Sequence, residues 1–298
     1  MDKMKGIKNQ NIKGWLYILP ALIILSIFSI YPIIQSFTMG FYAEFDYLKG
    51  EVYKIGIDNF QYVLSDENLY IALRNTFLYV VLSVPISIIV SLVLATLLNS
   101  KIKFMKFFRS VYFLPFVTST VAISMVWRWM LHGDYGLINS ILQIFNISKL
   151  QFLTQPEYTI PILVVLSVWK GMGYKVIILL AGLQSIDEQY YLAAKIDGAS
   201  KFQRFKNITC PLLLPALFFI LITSIISGFK IFDEVFILYD QKTGPLKSGL
   251  TIVYYIFNKF YREWQFTNAA AASFILFLII FVFTIIQLIM SNKLTRDK

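Results

Sequence analysis

Six long apolar runs dominate the sequence, and shorter polar segments separate them. The runs are Trp15–Phe37, Ile71–Leu98, Val111–Leu131, Ile160–Leu183, Cys210–Ile231 and Ala269–Met290. A helix needs about 20 apolar residues to cross the hydrocarbon core of a bilayer, so each run predicts one membrane span. The pattern predicts an all-α membrane protein with six transmembrane helices in residues 15–291, an N-terminal tail in residues 1–14 and a C-terminal tail in residues 292–298.

The first apolar run follows Lys3, Lys5, Lys8 and Lys13, as a signal peptide would. However, it is longer than the roughly 7–15 apolar residues of a signal peptide, and no small-residue cleavage site follows it. We therefore expect this run to be retained as the first span.

The composition of the chain excludes several classes of protein and of functional site. The chain is 57% hydrophobic and 15% charged, which is too apolar for a soluble domain. It has one cysteine, Cys210, and one histidine, His132, which excludes an internal disulfide framework and His-based triads or zinc motifs. The sequence has no GxxxxGK[ST] loop for binding phosphates. We expect no catalytic residue, no metal site and no cofactor on this chain, and we expect any ATP to be used by another subunit.

Basic residues are concentrated in alternate polar segments. They are Lys3, Lys5, Lys8 and Lys13 in the first segment, Lys101, Lys103, Lys106 and Arg109 in the third, Lys195, Lys201, Arg204 and Lys206 in the fifth, and Lys293, Arg296 and Lys298 in the last. Residues 38–70 carry six acids against two lysines. Lysine and arginine are enriched on the cytoplasmic side of membrane proteins, so both termini and the stretch 183–215 are predicted to be cytoplasmic. The net charge of +10 then reflects loops facing an anionic leaflet, and we expect no nucleic-acid partner.

The stretch Leu183–Pro215 is the longest cytoplasmic interruption. Its residues predict one short helix over Asp187–Ile196, a break at Gly198 and a second short helix over Ala199–Ile208, with Phe202 and Phe205 on one face at i,i+3 spacing. The residues alone allow two interpretations. The segment is a docking element for a cytoplasmic partner, or it is a pair of amphipathic helices lying on the lipid surface.

Ionisable residues within a span are costly and mark candidate functional sites. Lys170 lies about 14 Å along its predicted helix, at 1.5 Å per residue. The sequence leaves open whether its side chain faces a polar translocation path. Lys175 is nearer the cytoplasmic end, where snorkelling or a partner carbonyl is the favoured interpretation. Lys230, Asp233 and Glu234 follow the fifth run, with Lys230 and Asp233 spaced to pair on one helical face. They form an outer vestibule or a contact for an outer binding protein or, as the sequence slightly favours, a solvated helix end.

Several segments resemble the permease subunits of ABC importers. Leu192–Ala193–Ala194, Ile196–Asp197–Gly198–Ala199, Phe205, Ile208–Thr209, Pro211 and Pro215 resemble the EAA loop of that family, with Leu192 where the motif has Glu. Further matching segments are Asn75–Thr76 with Pro85, Ala95 and Leu97–Leu98–Asn99; Phe107–Phe108–Arg109, Leu114–Pro115, Trp127 and Gly136–Leu137–Ile138–Asn139; and Trp169, Gly173–Tyr174 and Leu180–Ala181–Gly182–Leu183. The resemblance covers nearly the whole chain and is to the first-type permeases of carbohydrate importers, similar to the maltose and glycerol-phosphate systems. The family's Gly-Gly-Pro loop is reduced here to Lys242–Thr243–Gly244–Pro245.

The resemblance implies a MetI-like type I importer core in the cell membrane with cytoplasmic coupling helices. The residues it assigns to coupling with the ATPase are Ala193, Ala194, Asp197, Gly198, Ala199, Phe202 and Phe205. It implies a second, homologous permease, two ATP-binding subunits that use ATP and Mg²⁺, an extracytoplasmic solute-binding protein and a sugar substrate. Because aromatic faces and fixed polar groups hold sugars, the expected substrate-path residues are Asn75, Trp169, Lys170, Tyr174, Phe229, Phe232 and Asp233. Gly171 and Gly173 permit close helix approach, either at a subunit interface or within the chain.

Two other functions compete with this prediction. A self-contained secondary transporter or channel would need an ion site within the chain, and the sequence has no detectable inverted repeats. An intramembrane enzyme would need a catalytic group, and no span carries paired acids. The sequence favours the importer permease over both.

Overall fold

The computed structural model of the chain describes residues 15–99 and 105–296. The predicted tail at residues 1–14 lies outside the described residues, as do Lys101, Lys103 and Lys298. The described residues fall into two compact units. The first unit contains residues 15–66 and 256–275, and the second contains residues 67–255 and 276–296.

In the first unit, helix α1 spans Trp15–Met39 and has a π-helical turn at Ser26–Ile30. The turn ends two residues before Pro32, and the proline has no N–H to continue the regular bonding pattern. Helix α2 spans Asp58–Ser65. Phe37, Phe41, Phe60 and Phe274 pack in edge-on or tilted pairs with ring centroids 4.9–6.0 Å apart.

The first unit also contains a β-hairpin, which the prediction of an all-α protein missed. Strand β1, Tyr42–Asp46, pairs antiparallel with β2, Glu51–Ile55. In the turn, the Asp46 carboxylate accepts hydrogen bonds from the backbone N–H groups of Leu48 and Lys49. Gly50 has a φ of +71°, which glycine adopts without a Cβ clash. The sequence signal was present as alternating residues around an Asp-to-Gly turn.

The second unit is built from helices of very different lengths. They are α3 Glu67–Leu98, α4 Met105–Val117, α5 Thr120–Met130, α6 Leu137–Ile144, α7 Thr159–Gln184, α8 Glu188–Ile196, α9 Lys201–Leu212, α10 Leu214–Phe229, α11 Asp233–Leu238 and α12 Ile252–Phe257. Of the last two helices, α12 contributes its residues up to 255, and α13, Phe266–Arg296, contributes its residues from 276 onward. The chain is thus mostly helical, as predicted.

Helix α7 is central to the second unit and packs against α3, α4 and α10. A buried apolar cluster joins α3, α7 and the first part of α10 and consists of Ala95, Leu98, Val176, Leu179, Leu183, Leu213 and Ile220. Apolar residues on more than one face of α7 explain why it lies between neighbours rather than at the edge.

Four of the described helices are long and apolar enough to cross a membrane, namely α1, α3, α7 with its preceding turn, and α13. They contain the predicted runs at Trp15–Phe37, Ile71–Leu98, Ile160–Leu183 and Ala269–Met290. Six spans result if each of two bent helix pairs counts as one.

The third and fifth runs, each predicted as one span, contain or adjoin a sharp bend. Helices α4 and α5 meet at 102°, and α9 and α10 meet at 64°. At the first bend, Ser119 is extended with a ψ of 131°, and Pro115 lies just before it. At the second bend, Pro215 lacks an N–H for the carbonyl four residues earlier.

A close helix contact holds α7 against α4. A Cβ built on Gly173 would clash with the Tyr112 carbonyl oxygen and would lie 3.0 Å from the Phe113 Cα atom. The backbones can approach this closely only because position 173 has no side chain. The sequence left open whether Gly173 packs at a subunit interface or within the chain. The structure shows that it packs within the chain.

We predict that Gly173→Ala destabilises the protein by about 1–3 kcal/mol, because the added methyl group forces two packed backbones apart. Gly182→Ala, on the same helix, is the matched control. Its Cβ would meet the Ala216 Cβ at an ordinary 3.4 Å. Thermal unfolding of the two variants in detergent checks the prediction, and equal melting temperatures would contradict the packing argument.

Candidate functional site

A cavity of about 560 Å³ opens in the second unit among α3, α7, α10 and the start of α11. Each helix presents a row of small or hydroxyl-bearing residues to it at intervals of three or four, which places them on one face. The rows are Tyr79, Ser83 and Ser87 on α3; Ser167, Gly171 and Tyr174 on α7; and Thr223, Ser224, Ser227 and Gly228 on α10. The cavity wall is therefore polar although the helices that form it are apolar.

Two aromatic surfaces complete the wall. Tyr174 stacks on Phe116 of α4, with ring centroids 5.2 Å apart and planes inclined by 20°. Phe232 contributes a second ring, between the end of α10 and the start of α11. Aromatic faces beside hydroxyl groups are the surfaces that bind the apolar and polar sides of a sugar ring.

The cavity also holds charged groups. The Lys170 ammonium donates a hydrogen bond of 2.6 Å to the Thr120 hydroxyl, at the first residue of α5. Glu234 is half-buried, and burial raises the pKa of its carboxyl, while a backbone hydrogen bond and the positive charge of Lys170 oppose that rise. Lys175, Lys230 and Asp233 line the cavity as well.

Four of the seven predicted path residues line the cavity, namely Lys170, Tyr174, Phe232 and Asp233. The other three are not among its lining residues. The Asn75 amide donates to the carbonyl oxygens of Lys247 and Leu250, at 2.9 and 3.1 Å, and so fastens α3 to a loop. Trp169 points away and lies 5.9 Å from Trp127, ring to ring.

Phe229 is only 3% exposed and packs on Phe283 of α13, with ring centroids 5.5 Å apart. In each of these three cases the residue type suits a sugar path, but the side chain lies outside the cavity wall. Composition cannot distinguish a lining aromatic residue from a packing one, since 17% of this chain is aromatic.

The predicted pairing of Lys230 and Asp233 on one helical face does not occur. Lys230 caps the end of α10, and Phe232 breaks the helix with a φ of −149° before α11 begins at Asp233. Both residues are exposed at a helix end and also line the cavity, as the solvated helix end and the vestibule respectively predict. Lys175 also lines the cavity, in contrast to the favoured interpretation of snorkelling.

Sequence reasoning missed the hydroxyl rows. Their signal was the spacing of Ser83 and Ser87, and of Ser224 and Ser227, within otherwise apolar helices. Ser87, Ser167 and Thr223 donate to carbonyl oxygens of their own helices, which satisfies their hydroxyl protons and leaves oxygen lone pairs for a ligand.

The segment α8–α9 forms a second candidate site. Its predicted architecture of two helices around a glycine is confirmed. At the end of α8, the Gly198 N–H binds the Lys195 carbonyl at 3.2 Å and the Ala199 N–H binds the Ala194 carbonyl at 2.9 Å, which is the Schellman motif. Gly198 has a φ of +76°, so the motif favours glycine there.

The second helix of this segment has its own start signal. Ser200 and Gln203 form a reciprocal capping box. The Tyr191 and Thr209 hydroxyl groups lie 2.9 Å apart and tie α8 to the π-helical turn Phe205–Thr209 within α9. The tight turn is therefore held by local hydrogen bonds at both of its ends.

Large apolar side chains on this segment are exposed. Ile196 is 86% exposed, Phe202 72% and Leu192 52%, and we call these three residues the docking surface. Of the residues predicted to couple, Ala193, Asp197, Gly198 and Phe202 are exposed, whereas Ala194, Ala199 and Phe205 are half-buried. Phe202 and Phe205 thus differ in accessibility despite their i,i+3 spacing.

Comparisons with known proteins identify the class. Residues 76–296 match the family model described as "Binding-protein-dependent transport system inner membrane component". The chain belongs to this family, and it is a permease subunit of an ABC importer rather than an enzyme. It is a multi-pass protein of the cell membrane, and the resemblance seen in the sequence is confirmed.

Individual relatives cover nearly the whole chain. The lactose transport system permease protein LacF of Rhizobium radiobacter is 35% identical and covers 93% of each chain. The arabinooligosaccharides transport system permease protein AraP of Halalkalibacterium halodurans is 33% identical, over 97% of this chain and 90% of that protein. The trehalose/maltose transport system permease protein MalF of Thermococcus litoralis is 31% identical over 92% of each.

A solved structure supports the same fold. A chain in the crystal structure of a bacterial ABC transporter involved in the import of the acidic polysaccharide alginate matches with a TM-score of 0.86 and 25% identity, over 99% of this chain and all of that one. A second structure holds the alginate transporter in complex with an alginate pentasaccharide-bound periplasmic protein, with the same TM-score and identity. The MetI-like core predicted from the sequence is therefore confirmed.

We predict that Tyr174→Ala lowers transport about tenfold, the effect of losing roughly 1.4 kcal/mol of ring contact. Trp169→Ala on the same helix is the control, and its transport should stay within about threefold of wild type because Trp169 faces away from the cavity. Uptake per amount of protein in the membrane measures both. Equal losses would show that the cavity wall has no special role.

Proposed function

We propose that this chain forms half of the translocation path of an ATP-driven sugar importer and binds the sugar in the cavity of the second unit. The observation that carries the proposal is the lining of that cavity. Hydroxyl rows on three helices face the stacked ring of Tyr174 and the ring of Phe232, in a protein that belongs to a permease family.

The relatives support a saccharide substrate, since they are named for lactose, arabinooligosaccharides and trehalose or maltose. The size of the cavity, about 560 Å³, falls within the usual range for ligand pockets, roughly 300–1,000 Å³. The cavity lies beside the bend between α4 and α5, where Lys170 holds the first residue of α5. A ligand that contacts α7 therefore lies next to a helix break, where movement of one helix relative to another is least restricted.

The docking surface is the proposed contact with a cytoplasmic ATP-binding subunit. Its three exposed apolar side chains are otherwise costly to leave in water, and they sit on a turn stiffened by the Schellman motif and the capping box. A stiff element transmits a displacement instead of absorbing it. We propose that Ala193, Ala194, Asp197, Gly198, Ala199, Phe202 and Phe205 form this lever, with ATP and Mg²⁺ held by the partner.

The remaining partners complete an alternating-access cycle. A second, homologous permease provides the other half of the path, two ATP-binding subunits drive it, and an extracytoplasmic binding protein delivers the sugar. The distribution of lysine and arginine supports cytoplasmic termini and a cytoplasmic docking surface. ATP binding then favours one of two states by binding it more tightly.

We predict that Gly198→Glu abolishes uptake while the protein remains in the membrane. The substitution costs about 1–2 kcal/mol at a positive φ and places a carboxylate on the docking surface. Gly50→Glu is the matched control, because Gly50 has a φ of +71° and open space around it, as Gly198 does. Its uptake should remain near the wild-type level. Normal uptake by the Gly198 variant would remove the turn from the coupling mechanism.

The complex itself is the direct test. Affinity purification of this chain from gently solubilised membranes should recover a second permease and an ATP-binding subunit, and Phe202→Ala should reduce recovery of the latter. Proteoliposomes holding this chain alone should show no sugar flux. Flux by the isolated chain would support a self-contained secondary transporter or channel and overturn the proposal.

A further inference from the structure

The Lys175 side chain points towards the middle of α7. Its ammonium nitrogen lies 3.1 Å from the position that a Cβ on Gly171 would occupy, one helical turn towards the N-terminal end of the helix. Side chains on a helix lean in that direction. The absence of a side chain at position 171 leaves the room that the ammonium takes, and Lys175 lines the cavity.

The other charges of the cavity are arranged differently. The Lys170 ammonium donates a hydrogen bond to the Thr120 hydroxyl. The Glu234 carboxyl interacts electrostatically with both Lys170 and Asp233. Lys230 and Asp233 are exposed at the junction of α10 and α11. These four groups have each other or solvent to stabilise their charges.

Lys175 has no such partner among residues 15–99 and 105–296. Within that part of the chain, no hydrogen bond or ion pair joins its ammonium, and its side chain is half-buried. A charged group within a membrane helix is costly unless it is paired or faces water. Water in the open cavity supplies that solvation, but closure around a substrate removes it.

We propose that the substrate carries an anionic group, a carboxylate, sulfate or phosphate on a saccharide, and that Lys175 binds it. This inference rests on the proposed function and adds the substrate's charge. A lysine ammonium suits the role because it is a compact point charge on a flexible stem that can follow an anion during transport. The hydroxyl rows and Tyr174 would then hold the sugar ring, while Lys175 neutralises its charged substituent.

The test uses the complete importer in membrane vesicles with its binding protein. Two pools of oligosaccharides serve as probes. One pool contains neutral hexose and pentose oligomers, and the other contains oligomers that bear uronic acid, sulfate or phosphate groups. Mass spectrometry identifies what enters the vesicles, and the same pools are offered to the purified permease–ATPase complex to measure binding without the binding protein.

We expect uptake from the anionic pool to exceed uptake from the neutral pool by about tenfold or more. The reason is that the Lys175 charge, once water leaves the site, is stabilised by an anionic substrate and is left unpaired by a neutral one. Lys175→Gln should lose that advantage, and Lys175→Arg should retain most of it because the charge remains. Lys149→Gln, at an exposed loop lysine, removes the same charge away from the cavity and should match wild type.

Two results would overturn the inference. If wild type takes up only neutral oligomers in an ATP-dependent manner, the anionic substrate is wrong and the proposed sugar import stands, with Lys175 paired by an acid of another subunit instead. If neither pool is taken up although the complex assembles and hydrolyses ATP, both the inference and the proposed sugar substrate fail.

Discussion

The close approach of α7 to α4 at Gly173 is the constraint on which the second unit depends. Because the Tyr112 carbonyl occupies the space of a side chain at position 173, the rotation of α7 about its axis is fixed. That rotation directs Tyr174 and Lys170 into the cavity, while Trp169 packs on Trp127 instead. A single missing methyl group thus determines which face of an apolar helix becomes the wall of the path.

The cavity has a polar wall although the helices around it are apolar. Hydroxyl groups and charged groups line it, and the two kinds of group are stabilised in different ways. Serine and threonine hydroxyls donate back to the carbonyls of their own helix and cost little to place in a span. Lysines and carboxylates cannot do so, and they need each other, water or a ligand. The hydroxyls therefore shape a site that accepts hydrogen bonds, while the charged groups decide which ligands it can stabilise once water leaves.

Local signals in the sequence predicted local structure well. The Gly198 turn, the two short helices around it and the four unbroken spans all follow from patterns of adjacent residues, and the structure confirms them. The bends at Ser119 and Leu213 were missed because an apolar run shows length but not direction, even though Pro115 and Pro215 lie close by. The hairpin at 42–55 was hidden within an acidic loop. Asn75, Trp169 and Phe229 lie outside the cavity wall. The sequence does not show this, because contacts between helices, such as the one at Gly173, decide which face of a helix meets a cavity.

The most direct test of the account asks which side of the membrane the docking surface faces and what it touches. With the single native cysteine replaced as Cys210→Ser, Phe202→Cys provides one reactive thiol on that surface, and Leu48→Cys provides a reference thiol in the hairpin, where Leu48 is 99% exposed. The account predicts that Phe202→Cys cross-links to an ATP-binding subunit and resists an impermeant reagent added outside, which labels Leu48→Cys. Labelling of Phe202→Cys from outside, without any cross-link to the ATPase, would contradict it.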